Sequence, residues 1–346
     1  METQEQKQGM PQWLLDDNNA RTGEYARNVS DEAFLRQIND HLKAEKPTIS
    51  DEVKHPVIFF FGVPRCGKTF FSQLFNHYFD MGYPDNLIAR FWRAPYFGIR
   101  LSQLLKSKFD SGSDFRSDFG KTTNLFDPHD FAYFWHEHLL KESHPYNFES
   151  ARDRIDWKQL QNSLALFTQT FDKACLFKGV NPSYHMSLIS KNIPKTFFIY
   201  LERDLVDSGV SLARARMKNY NDIEHWYGQN PSPEFFDKIK DLPWNEQIAN
   251  QFQWLTNHYE SELSKIDQDK YMRIKYKDFC NDPIGFFTKL QNKLDATMGQ
   301  QLIRKGDIEK EMLVYSEHSQ ETPYYSELLE AFEKINLQAR LEYARP

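Results

Sequence analysis

Apolar residues fall along this chain in two kinds of run. Short, largely apolar runs occur at residues 57–61 (VIFFF), 175–179 (CLFKG) and 196–201 (TFFIYL), and a further short stretch at 272–276 (MRIKY). Each is too short for a helix and reads as a strand. Between them lie longer stretches with apolar residues every third or fourth position. At residues 30–45 Phe34, Ile38 and Leu42 mark one face, behind Ser30 and stopped by Pro47. Similar spacing predicts helices at 68–79, 131–141, 157–171, 207–218, 245–266, 284–294 and 326–341. The stretch 82–130 is uneven, broken by Pro84, Pro95, Gly98, Gly112, Gly120 and Pro128, and predicts loops and short helices. Residues 1 to about 27 are polar and weakly periodic, which predicts a flexible or loosely docked arm. Strands alternating with helices imply a parallel sheet covered on both faces, a three-layer α/β/α fold. The expected organisation is an arm and helix over residues 1–50 and a single α/β domain over 51–346.

Composition narrows the function classes. The 346 residues are 40% hydrophobic and 27% charged, with a formal net charge of −6, so a general affinity for nucleic acid is not expected. Any anion site must be a local concentration of Lys and Arg. Cys66, Cys175 and Cys280 are far apart and odd in number, without metal-ligand spacing or a disulfide framework. The start, METQEQKQGMPQWLLDD, has no basic stretch followed by an apolar one. The longest apolar run falls far short of the roughly 20 residues that span a bilayer. A cytoplasmic protein with no membrane span is the expectation.

The densest chemistry follows the first strand. Gly62, Val63, Pro64, Arg65, Cys66, Gly67, Lys68 and Thr69 spell G-x-x-x-x-G-K-T between a strand and a helix. That context makes the motif a phosphate cradle: backbone N–H groups converge on an anion at the positive end of a helix. A second candidate follows the strand at 196–201. Arg203 sits just past it, and Ser211 lies eight residues later on a predicted helix. Ligands of open parallel sheets bind beyond the carboxyl ends of the strands, so Arg203 comes beside the glycine loop if the two strands are close. Its guanidinium fork suits a phosphate. The plainer reading is a surface arginine paired with Asp204 or Asp207.

Taken together these residues resemble the sulfotransferase superfamily, whose donor is 3′-phosphoadenosine 5′-phosphosulfate (PAPS). Pro64-Arg65-Cys66-Gly67-Lys68-Thr69 resembles its 5′-phosphosulfate loop. Arg203, Asp204, Asp207 and Ser211 resemble its 3′-phosphate element, with Leu205 where proline is usual. Lys178 and Pro182 loosely resemble a strand-end lysine and proline, WYGQNP at 226–231 a tryptophan-glycine loop, and Tyr276, Asp278, Asp282 and Pro283 a segment near the end of the fold. These five elements span about residues 56–295. Lys68 departs from the usual Ser or Thr and completes a Walker A motif.

The resemblance implies a P-loop-type fold and transfer of a sulfuryl group to an acceptor hydroxyl, leaving adenosine 3′,5′-bisphosphate, with no metal required. It implies Arg65, Cys66, Gly67, Lys68, Thr69 and Phe70 at the 5′ end, Arg203 and Ser211 at the 3′ end, and Tyr276 beside them. Arg65 and Lys68 are the residues expected to stabilise charge on the leaving oxygen. The acceptor base is sought in LFDPHDFAYFWHEHLL: His129 or Asp130 first, then His136. His185 reads as structural or cofactor-adjacent. Trp92, Trp135 and Trp226 are candidates for an acceptor groove, core packing being the plainer reading, and Arg90, Arg93 and Arg100 for contact with an anionic acceptor. A carbohydrate or glycan is the first acceptor expected, then a small hydroxylated metabolite, then a protein tyrosine. The alternative enzyme is an ATP/Mg-dependent kinase or NTPase, with Glu202 or Asp204 as metal ligand. A non-catalytic nucleotide-binding protein is the remaining class.

Overall fold

The computed structural model describes residues 10–45, 47, 49–109, 112, 115, 117–310 and 323–343, the last seven as backbone alone. Four strands form its sheet: β1 (Val57–Phe61), β2 (Cys175–Lys178), β3 (Thr196–Glu202) and β4 (Tyr271–Lys275). All pair in parallel in the order β2-β1-β3-β4. Every residue of β1 is buried, as a central strand covered on both faces requires.

Side chains alternate across a strand, so the phenylalanines of β1 point to opposite layers. Phe60 meets Phe71 and Phe75 of the helix Lys68–Tyr78. That helix in turn meets Phe287 of Pro283–Met298. Phe59 meets Trp135, and Phe61 meets Tyr259 of Trp244–Leu263, in the other layer. The three-layer α/β/α arrangement expected from the strand and helix pattern is therefore the one observed. The helix Tyr325–Tyr343 packs against Leu205–Tyr220 and Trp244–Leu263, with Leu328 fully buried.

Element boundaries follow the sequence pattern closely, and three of the differences stand out. Within 82–130 a full 15-residue helix, Pro95–Phe109, replaces the expected short pieces, because Pro95 occupies its first position, where no N–H is needed. In the helix Val29–Ala44 the expected apolar face is not the packed one: Phe34 is 61% exposed, and Leu35 packs on the core instead. The third difference is the arm. Residues 12–20 form a helix, Gln12–Ala20, whose Leu14 and Leu15 bury with Met10 against Trp13, Val29 and Tyr133. The Thr22 N–H donates to the Asn219 carbonyl at 2.7 Å. Arg21 pairs with Asp17 and lies over the Tyr220 ring. From residue 10 onward the arm is docked.

Among the described residues no helix is long and apolar enough to cross a membrane.

Candidate active site

The chain reverses direction across the sheet at β1: β2 pairs on one side of it, β3 on the other. A crevice opens at such a switch point, beyond the strand tips. The glycine loop leaves β1 there, and Arg203 leaves β3.

Local backbone geometry shapes the loop. A Cβ on Gly62 would run into the Leu201 carbonyl oxygen and the Cys66 sulfur, so no other residue fits between β1 and β3. Gly67 caps the helix Lys68–Tyr78 at φ +102°, a conformation that side chains disfavour. Arg65 takes φ +68° between them. The helix N-terminus thus points its free N–H groups at the crevice.

Side chains then tie the two strand tips together. Arg203 Nη1 donates to the Arg65 carbonyl at 3.1 Å, and Arg65 Nε donates to Ser211 Oγ at 3.1 Å. The Arg65 guanidinium lies over the Phe119 ring and the Arg203 guanidinium over the Tyr276 ring. The Tyr276 ring also packs against Gly67. Burial, with Arg203 nearby, disfavours the Arg65 cation, a cost that an incoming anion offsets. Lys68 Nζ donates to the loop's own carbonyls at Gly62 and Val63, at 2.7 and 2.8 Å.

These groups line a cavity of about 1050 Å³. It stands at the upper end of the roughly 300–1,000 Å³ of small-molecule sites, room for more than one ligand. Of the residues singled out from the sequence, Arg65, Gly67, Lys68, Thr69, Phe70, Asp130, Arg203, Ser211 and Tyr276 line it. Cys66 is fully buried behind the loop.

The three base candidates separate. Asp130 faces the cavity, and its carboxylate pairs with Lys178 Nζ at 2.9 Å. That ammonium also reaches Thr69 Oγ1 at 3.4 Å. Burial alone would raise the Asp130 carboxyl, but the charges of Lys178 and His129 hold it below its ordinary value. His129 does not line the cavity. Its Nδ1 accepts the Phe131 N–H at 2.8 Å, which leaves the proton of the neutral ring on Nε2. Burial, aided by Lys178, pushes it down to about 4, so the ring is neutral near pH 7. His136 sits 5.3 Å from the Trp13 ring, against the docked arm, and outside the cavity lining.

Other sequence candidates find structural partners. His185 Nε2 is 2.8 Å from the Tyr146 hydroxyl in a buried cluster. Trp92 and Trp135 are buried in the core, and Trp226 packs on Phe236. Arg93 pairs with Asp40 and Glu137, and Arg100 bonds Gln103. Glu202 faces Arg273, and Asp204 caps its own helix by accepting the Asp207 N–H. Neither lines the cavity that Thr69 lines.

The cavity has a further wall that sequence reasoning did not assign. Phe119, Gly120 and Lys121 come from the uneven stretch, Lys141 from beyond a helix end, and Tyr227, Gly228 and Gln229 from the tryptophan-glycine loop. Only the loop carried a signal, its resemblance to a family element. The Gly120 carbonyl comes to 3.5 Å from Thr69 Oγ1. Burial pushes Lys141 down to about 8, and burial with the charges of Arg21 and Arg27 does the same to Lys121.

A parallel sheet with a glycine loop at its switch point and a second cationic tip beside it defines an α/β protein of the phosphate-loop class. The sequence matches the Sulfotransferase family over residues 56–299, and the chain belongs to that family. Among solved structures it is similar to sulfotransferase STF9 from Mycobacterium avium, at 14% identity and a TM-score of 0.49, over 85% of this chain and 79% of that one. It is also similar to sulfotransferase STF1 from Mycobacterium tuberculosis, at 14% identity and a TM-score of 0.48, over 81% and 80%. No curated protein sequence shows significant similarity to it.

Proposed function

We propose that the protein is a PAPS-dependent sulfotransferase acting on a hydroxyl acceptor. The observation that carries this reading is the pairing of Arg203 and Ser211 with Arg65 across two neighbouring strand tips. A nucleoside triphosphate needs one such pocket; a nucleotide phosphorylated at both ends of its ribose needs two. The residues present fit that group. The N–H groups of Gly67, Lys68 and Thr69 would hold the 5′-phosphate, Arg203 and Ser211 the 3′-phosphate, and the Tyr276 and Phe70 rings would flank the nucleotide.

PAPS, when bound, supplies the sulfuryl group: its sulfur–oxygen bond to the 5′-phosphate breaks as one to the acceptor oxygen forms. Arg65 and Lys68 stabilise charge on the departing phosphate oxygen. Lys68 has only to exchange its bonds to the Gly62 and Val63 carbonyls for a bond to that anion. Asp130 takes the acceptor proton, because of the three base candidates it is the one that lines the cavity, and it is ionised at neutral pH. Lys178 holds that carboxylate in place and links it to Thr69. A hydroxylated carbohydrate remains the first acceptor to try, on the likeness of the tryptophan-glycine loop.

Thermal unfolding with adenosine 3′,5′-bisphosphate against ATP plus Mg²⁺ tests the donor. A ligand of the folded state stabilises by about 2.7 kcal/mol at a hundredfold excess over its dissociation constant. The bisphosphate should raise the melting temperature in the absence of metal. A rise with ATP plus Mg²⁺ alone would replace this reading with the kinase one.

A further inference from the structure

The charge along the cavity wall exceeds what a donor nucleotide uses. Arg65, Lys68 and Arg203 stand at the glycine loop and the β3 tip. Lys121 and Lys141 line the same cavity, and neither has an ion pair or side-chain hydrogen bond among the described residues. The two acids of the wall are already matched: Asp130 by Lys178 at 2.9 Å and Asp118 by Lys218 at 2.9 Å. Each free ammonium is seated on an aromatic ring of the N-terminal segment, Lys141 5.4 Å from the centre of Trp13 and Lys121 4.4 Å from that of Tyr25. A ring face steadies a cation without neutralising it.

We infer that the acceptor carries an anionic group, a carboxylate, sulfate or phosphate, received chiefly by Lys141 with Lys121 as second contact. This rests on the sulfotransferase reading of the same cavity. A partly desolvated ammonium facing open space costs free energy, and an anionic ligand offsets that cost. The pull of burial on Lys141 agrees with this: its charge lacks a close acid, Asp17 acting only from a distance. Of the arginines expected from the sequence to meet an anion, Arg93 and Arg100 already have protein partners, and Arg90 lies outside the cavity lining. The N-terminal helix, through Trp13, therefore takes part in acceptor selection.

Matched probe pairs test this by calorimetry on the full chain, with and without saturating adenosine 3′,5′-bisphosphate. The pairs are p-nitrophenyl β-D-glucuronide with its glucoside, and 4-hydroxybenzoate with 4-hydroxybenzyl alcohol. At least one anionic member should bind about tenfold tighter than its neutral partner, the worth of one charge-assisted hydrogen bond. Lys141→Met should abolish that preference, Lys141→Arg should keep it, and Lys121→Met should reduce it by a smaller factor. Bisphosphate affinity should stay unchanged in Lys141→Met. Equal binding within both pairs, or binding of none of the probes, overturns the inference. So does a fall in bisphosphate affinity in Lys141→Met, which would move that lysine to the donor. Failure of the wild-type protein to bind bisphosphate sinks the donor reading instead, and the nucleotide-free titrations still decide the anion preference.

Discussion

The two ends of the cavity are built differently. At the glycine loop, the polar groups already hold one another: Lys68 on the Gly62 and Val63 carbonyls, Arg65 on Ser211, Arg203 on the Arg65 carbonyl. The other wall gathers Lys121, Lys141 and the loop at Tyr227, braced by Trp13 and Tyr25 of the arm. Its ammonium groups face the cavity without an ion-paired acid among the described residues. The first end is held in one arrangement, which suits the donor proposed for it. The second is an open charge pattern on a docked segment, suited to selecting among acceptors. Asp130, bridged to Thr69 through Lys178, stands between them.

Replacing the residue at that junction should have the largest effect. Asp130→Asn should lower kcat by about 10²- to 10⁴-fold, the usual worth of a positioned base, while bisphosphate affinity holds. Full activity in steady-state assays would break the division of the cavity drawn here. Arg203→Ala should weaken bisphosphate binding by roughly a hundredfold, as loss of a charged, doubly hydrogen-bonding group does. Calorimetry should find this with the fold intact by circular dichroism, and an unchanged dissociation constant would remove Arg203 from the donor end.

A pH profile sharpens the comparison further. The Asp130 carboxyl is held below its ordinary value, so activity should be flat from neutral pH downward until that low value is reached. Its ionisation stabilises the fold above the unfolded value of about 4 and ceases to do so as pH falls through the folded one. In Lys178→Met the largest charge holding the carboxyl down is gone, and only His129 and Lys68 still oppose desolvation. The acid limb of kcat/KM should then move up by about one unit or more. An unmoved limb would mean that Lys178 does not tune Asp130.

The smallest effects should come from the arm. Leu15→Ala empties part of the small cluster with Met10 and Leu14 and should destabilise its docking by about 2 kcal/mol. Acceptor KM should rise several-fold with the bisphosphate dissociation constant unaltered. His136→Asn should leave kcat within about twofold, since His136 faces Trp13 rather than the cavity.

Much of the donor end was legible in the chain because a phosphate loop is local. Gly62, Gly67 and the helix N-terminus are fixed by backbone conformation over eight consecutive residues, and contiguous sequence records that directly. The buried strands β1, β2 and β3 were legible too, since a parallel strand covered on both faces is a largely apolar run. The order β2-β1-β3-β4 was not, yet it brings Arg203 beside Arg65, 138 positions apart. Likewise the sequence offered His129 or Asp130 first and His136 second, with nothing to choose between the first two. Only packing separated them, by giving His129 a backbone N–H to accept, His136 a tryptophan to lie against, and Asp130 a lysine and an open face. The acceptor wall left almost no mark in the sequence, because it exists only where an N-terminal helix buries Leu14 and Leu15 against a distant helix. Local backbone geometry fixed the glycine loop proposed to bind the donor; long-range burial decided which charges face the rest of the cavity.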